Sequence, residues 1–208
     1  MKYTCGYNKD TIEINFPEGT GKKILVALSG GADSAILLYI LAKMNRDLNL
    51  NHTLIPFTVP RPDGGANYSP KIASWIANKL KVKIPEPMIV GNGNLPHAIV
   101  VKTVIKDLLN TNLYDFLFVA ENKIPPDELN GLPPVRAPQA NYKRASLPFW
   151  GVTKDASLEL YYIEGIPELL ELTHSCTELV GDRCNKCFQC NERSWAFSKL
   201  GITDPGKM

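Results

Sequence analysis

Six consecutive residues, Ser29-Gly30-Gly31-Ala32-Asp33-Ser34, carry the groups needed to hold a phosphate chain. Two glycines let a backbone turn sharply and approach an anion without Cβ clashes. Ser29 and Ser34 supply hydroxyl donors, and a helix beginning near Ser34 would aim its free N–H groups at the same point. Asp33 suits such a loop only if a cation arrives with the phosphates, as Mg²⁺ does with ATP. The bland alternative is a tight strand-to-helix turn with Asp33 or Ser34 as a cap; it leaves most of the hexapeptide unused. No lysine follows the glycines, so the loop is not of the Walker kind.

A second constellation lies near the C-terminal end. Cys176, Cys184, Cys187 and Cys190 follow the spacing C-x7-C-x2-C-x2-C. Tetrahedral Zn²⁺ takes four thiolates at about 2.3 Å, and Cys-x2-Cys turns present two sulfurs on one side of a knuckle. Residues Gly181 to Lys186 supply turn formers and basic groups that offset thiolate charge. Iron–sulfur clusters also use Cys-x2-Cys-x2-Cys runs, and two disulfides would need an oxidising compartment. A structural zinc site is the expectation, with Cys5 a bystander.

The rest of the chain must position these groups. It has 208 residues, 44% of them hydrophobic and 21% charged, enough to bury a core. A net charge of +2 argues against tight non-specific nucleic-acid binding. No apolar run approaches membrane-spanning length and Met1 to Gly6 lacks a secretory pattern, so a cytoplasmic location is expected.

Alternation over Thr11 to Phe16 predicts a half-exposed strand, and Lys23 to Leu28 a buried one. The glycine loop follows, then a helix from Ala35 to Met44, apolar almost all round. Thr53 to Val59 reads as a strand weakened by Pro56; Ser69-Pro70 reads as an N-cap and first helical position. Ile84 to Val90 is a strand that Pro85 and Pro87 restrict to an edge; Val101 to Leu108 is an amphipathic helix and Asp115 to Ala120 a buried strand. Residues 121–150, rich in proline, predict a substrate loop or lid. Helices are expected over Asp155 to Glu164 and Glu192 to Leu200. The pattern predicts an α/β fold: a mostly parallel twisted sheet with helices on both faces, residues 1–165, plus a small zinc-binding appendage, residues 166–208.

Ser-Gly-Gly-x-Asp-Ser resembles the pyrophosphate loop of the N-type ATP pyrophosphatases, the PP-loop superfamily. The resemblance implies an adenine-nucleotide α-hydrolase-like fold, with adenine against Ala27 and Thr58. It also implies attack at the α-phosphorus, with Mg²⁺-pyrophosphate leaving through a loop whose active groups are Ser29, Asp33 and Ser34.

Both motifs in one short chain resemble the 7-cyano-7-deazaguanine synthase family. Leu147-Pro148-Phe149, Thr153-Lys154, Gly165-Ile166-Pro167 and Thr173-His174-Ser175-Cys176 look like that family's run into its zinc site. Ala120-Glu121-Asn122 through Asp127, with Asn130 to Arg136, is similar to its substrate loop. The family uses two ATP to convert 7-carboxy-7-deazaguanine and ammonia to a nitrile through an adenylate and an amide. On that likeness Lys154 grips pyrophosphate, Asn122, Asp127 and Arg136 bind the substrate, the last two at its deazapurine base or carboxylate, and a homodimer forms.

A lysine in the first turn of a helix opposes the dipole by about a few tenths of a kcal/mol, which a bound anion would reverse. A solvated surface lysine is the alternative. The chain departs from the family at His97-Ala98 after Pro96, at Pro60 to Asn67, and at Pro133-Pro134-Val135-Arg136. A diverged amide-forming relative, a tRNA-thiolating enzyme, and a zinc-knuckle binding module with a vestigial ATP loop are the other expectations. His97 reads as a helix-start or surface residue.

Overall fold

The computed structural model describes residues 1–95, 97–127, 129–131, 133 and 144–206. The chain opens with an antiparallel hairpin not foreseen in full, β1 (Lys2–Cys5) and β2 (Asp10–Glu13), paired from Lys2↔Glu13 to Cys5↔Asp10. Tyr3, Cys5 and Ile12 turn inward from it, the alternation a one-sided sheet requires.

Five strands then form one sheet in the order β5-β4-β3-β6-β7, every pairing parallel. They are β3 (Lys23–Ala27), β4 (Thr53–Thr58), β5 (Met88–Ile89), β6 (Phe116–Phe118) and β7 (Ala145–Ser146). In β3, Ile24 and Val26 face one core and Leu25 the other, all three fully buried. The helices on the first face are α1 (Ala32–Asp47), α2 (Ser69–Leu80), α4 (Lys154–Ile163) and α5 (Phe188–Leu200). On the second, α3 (His97–Asn110) lays Val100, Ile105 and Leu109 against Leu25, Phe57 and Leu117. The predicted α/β class, with helices on both faces, is what forms.

Three local expectations need correction. Ser69 does not cap α2: the cap position is Tyr68, and the Ser69 hydroxyl is buried, donating to Leu28 C=O at 2.9 Å. Residues 121–150 are not structureless throughout, because β7 pairs Leu117↔Ala145 and Phe118↔Ser146. The last helix starts at Phe188, four residues before Glu192, and so takes in Cys190. Elsewhere the prolines act as expected. Pro85 and Pro87 cut the edge strand to two residues, and Pro56 falls where β4 has no β5 partner.

The strand order has a consequence for ligands. The chain runs outward through β3, β4 and β5, then returns to place β6 on the other side of β3. At such a switch point the loops leaving β3 and β6 part in opposite directions, opening a crevice at their carboxyl ends.

Candidate active site

The hexapeptide occupies that crevice. Gly30 takes φ 84°, the left-handed region where a side chain is strained, and a Cβ there would run into Gly65 C=O. Gly31 caps α1, and the first intrahelical bond is Ala35 N–H to Gly31 C=O at 3.2 Å. The N–H groups of Ala32, Asp33 and Ser34 precede that bond and lie at the positive end of the helix. Ser34 Oγ accepts from Ser29 N–H at 3.1 Å and donates to Gly31 C=O at 3.1 Å, so it shapes the loop from within. Gly30→Ala is expected to cost about 1–3 kcal/mol of strain and to push the loop off Gly65. A urea-unfolding midpoint checks it.

A cavity of about 250 Å³ opens in front of the loop. Ser29, Gly31, Ala32 and Asp33 line it from β3 and α1, and Ala120, Glu121 and Asn122 from the end of β6. Lys154, Arg61, His174, Ser175, Gln189 and Glu192 complete the wall. Ala27 and Thr58 end the neighbouring strands but do not line the cavity; Thr58 Oγ1 donates to Leu28 C=O at 2.6 Å.

Lys154 is not a solvated lysine. It is 6% exposed, with Nζ 2.5 Å from Asp33 Oδ2 and 3.0 Å from Glu192 Oε2. Burial opposes its charge, but the Asp33 and Glu192 carboxylates outweigh burial and hold its pKa above the ordinary lysine range. Asp33 thus meets a cation from the protein itself. Its other oxygen accepts from Ser157 Oγ at 2.6 Å, and Asn122 Nδ2 donates to that hydroxyl at 3.1 Å. Asn122 is 2% exposed, and this contact holds it against the Asp33 network. Asp127 is exposed and accepts from Trp195 Nε1 at 2.7 Å and pairs with Lys199 at 3.0 Å. Arg136 lies outside the described residues.

The four cysteines converge: their sulfurs all lie within 4.8 Å of one another. A tetrahedron with four metal–sulfur bonds of about 2.3 Å needs sulfurs about 3.8 Å apart, so the set fits one ion. A four-iron cube has metal–metal edges between its thiolates and spreads them farther. Backbone N–H groups of Glu178 and Leu179 point at Cys176 Sγ, and those of Lys186 and Cys187 at Cys184 Sγ, at 3.2–3.4 Å. Such donors offset thiolate charge. Burial raises the Cys187 thiol, but donors from Thr177 and Cys190 win and bring it to about 7. The cluster could hold a metal. Cys5, fully buried on the hairpin, is pushed up to about 12, first by burial and then by Glu159.

This cluster is joined to the cavity wall. Ser175 precedes Cys176, Gln189 lies between Cys187 and Cys190, and Glu192 follows by two residues. His174 N–H donates to Gly30 C=O at 2.9 Å, and its ring stacks on Tyr68 at 4.8 Å and 10°. Arg193, 1% exposed, donates to Thr173 Oγ1 at 2.7 Å and Ser175 Oγ at 3.2 Å. Both oxygens of Asp204 accept from the same guanidinium, which, against burial, holds that carboxyl down at about 2. Sequence reasoning missed Arg61, Ser157, Glu192 and Arg193. Their only signal was polarity inside otherwise ordinary turn or helix patterns.

His97 opens α3 half-buried, with Nδ1 enclosed and without an acceptor or donor among the described residues. Burial, then the Arg61 charge, lowers its pKa to about 4. A histidine depressed on folding stabilises the fold fully above its unfolded value of 6.5 and loses that contribution as pH falls toward 4. His52 shifts the same way, through burial and Lys22. Urea midpoints are therefore expected to fall as pH drops below 6.5, and His97→Gln to remove part of that early loss.

No protein-family model matches the chain. No curated protein matches its sequence either. Among solved structures it is similar to the U34-tRNA thiolase NcsA from Methanococcus maripaludis with its [4Fe-4S] cluster, at 16% identity and a TM-score of 0.36. The likeness covers 89% of this chain and 59% of that one, so the chain spans about three fifths of its neighbour's length. A superposition so loose carries no argument about chemistry. Among the described residues no helix is long and apolar enough to cross a membrane.

Proposed function

We propose that the chain is a PP-loop enzyme that activates a carboxylate with ATP, releasing pyrophosphate and then AMP. The observation that carries this is the cavity at the switch point between β3 and β6, where the Ser29–Ser34 loop and the buried ammonium of Lys154 share one wall. Lys154 has three N–H donors; Asp33 and Glu192 take two, which leaves one for a phosphate oxygen. The loop N–H groups, Lys154 and Arg61 on the cavity wall supply donors for phosphate oxygens, and a Mg²⁺ arriving with the nucleotide would lower the charge they must hold.

The finer reading is the resemblance itself: 7-carboxy-7-deazaguanine and ammonia as substrates, a nitrile or the intermediate amide as product, in the cytoplasm. Positioning the carboxylate against the α-phosphorus is the protein's share. The cysteine cluster holds Zn²⁺ in a structural role, which its one-ion spacing supports. The second reading, tRNA thiolation, would have to work through the four-cysteine cluster, because Cys5 is fully buried.

The test supplies 7-carboxy-7-deazaguanine, ammonium, Mg²⁺ and ATP to metal-loaded protein and follows AMP and product mass. A nitrile is expected, and an amide alone marks the diverged relative. Folded, metal-loaded protein that forms no AMP with this carboxylate sinks the deazapurine assignment.

A further inference from the structure

The geometry points to Arg61 as the group that grips the α-phosphate of the nucleotide. The inference rests on the proposed reading and specifies which cation acts where. Arg61 and Lys154 are the two basic side chains on the cavity wall among the described residues, and they come from different places. Lys154 starts α4, after β7, and meets the glycine loop through Asp33. Arg61 sits in the turn after β4, on the other side of β3 in the strand order.

That turn is fitted to the glycine loop. A Cβ on Gly65 would sit tightly against Ser29 C=O at 3.0 Å and Arg61 Nη2 at 3.2 Å, so loop, turn and guanidinium pack closely around this glycine. Gly65 N–H donates to Asp63 Oδ1 at 2.8 Å. Asp63, its side chain 1% exposed, puts Oδ2 2.8 Å from Arg61 Nε. The contact is an ion pair whose N–H is not aligned for a hydrogen bond. Arg61 is thus tethered by charge, and none of its N–H donors finds a hydrogen-bond acceptor among the described residues. Its side chain is 21% exposed, on the cavity. A planar guanidinium held this way can offer two parallel donors to two phosphate oxygens.

On the proposed reading the terminal two phosphates lie in the loop beside Lys154 and the nucleoside end lies toward the carboxyl ends of β3 and β4, so the α-phosphate is the one nearest the turn that carries Arg61. When a carboxylate oxygen bonds to the α-phosphorus, the bond to the β-phosphate oxygen breaks and its electron pair leaves with pyrophosphate. Charge gathers on the α-phosphate oxygens, where a pre-positioned guanidinium is most effective.

Isothermal titration with AMP, Mg²⁺-ATP and Mg²⁺-pyrophosphate separates the two cations. Arg61→Gln is expected to weaken AMP and ATP by about 10- to 100-fold, the loss of charged hydrogen bonds, and to leave pyrophosphate within about 2-fold. In AMP formation kcat falls more than KM rises. The double variant Arg61→Gln/Asp63→Asn, which leaves no unpaired buried carboxylate, is expected to lose the same affinity with a wild-type melting profile. Equal losses for pyrophosphate and AMP, or unchanged affinity for all three, overturn the assignment of Arg61. Wild-type protein that binds neither ATP nor pyrophosphate overturns the nucleotide reading as well.

Discussion

Lys154→Met is expected to destabilise the protein by about 3–5 kcal/mol, because it leaves a buried pair of carboxylates without their cation. The Glu192 side chain is 2% exposed and that of Asp33 17%, so Glu192 is shut off from bulk water and Asp33 reaches it only through the cavity. The same change removes the ammonium from the cavity wall, and pyrophosphate affinity is expected to fall by about 10- to 100-fold, on the order of a lost charged hydrogen bond. Two effects from one substitution must be separated. Adding Glu192→Gln relieves the like-charge pair, so the double variant recovers much of the stability and none of the affinity. Urea unfolding and pyrophosphate titration, run side by side, read the two quantities. A Lys154→Met protein with wild-type stability would contradict the ion-pair geometry itself.

Removing the metal is expected to have the other large effect. In isolated zinc-finger peptides a structural zinc contributes about 10–16 kcal/mol, an upper bound for this chain, which also has a sheet core. The loss would fall on the residues the cysteines tie together. His174 loses its hold on Gly30 C=O, and the first turn of α5, with Gln189 and Glu192, loses its anchor. Chelation or Cys184→Ser is therefore expected to abolish amide-exchange protection from Thr173 to Glu192 while β3 and β6 stay protected, and to weaken pyrophosphate binding. Metal analysis of the untreated protein is expected to give one zinc per chain. Broad visible absorption from iron and sulfide would replace that assignment with a cluster.

The parts legible in the sequence were those where one segment carries the whole signal. Lys23 to Ala27, the glycine loop and α1 are contiguous, and buried strand, turn and apolar helix each leave a local pattern. The cysteines were legible by spacing, and the structure brings all four together. What escaped was convergence. Nothing near Glu192 announces that it meets Lys154, and nothing in the Pro60–Asp63 turn shows that Arg61 faces the glycine loop. Both depend on the strand order, which no local pattern encodes.

Ser69 was misjudged for a related reason: a serine before proline looks like a cap, but tertiary contact with Leu28 claims its hydroxyl. β7 has two residues, too few for any alternation to be seen. Asp127 was chosen for its place in a substrate loop, while the structure pairs it with Trp195 and Lys199.

The claim beneath all of this is that the pocket between β3 and α1 holds the terminal two phosphates of ATP. Competition tests it most directly: a fluorescent ATP analogue bound to metal-loaded protein with Mg²⁺, then chased with Mg²⁺-pyrophosphate. The expected result is full displacement by pyrophosphate, lost in the Lys154→Met/Glu192→Gln variant. Displacement by adenosine but not by pyrophosphate, or no binding of the analogue to folded protein, would contradict it.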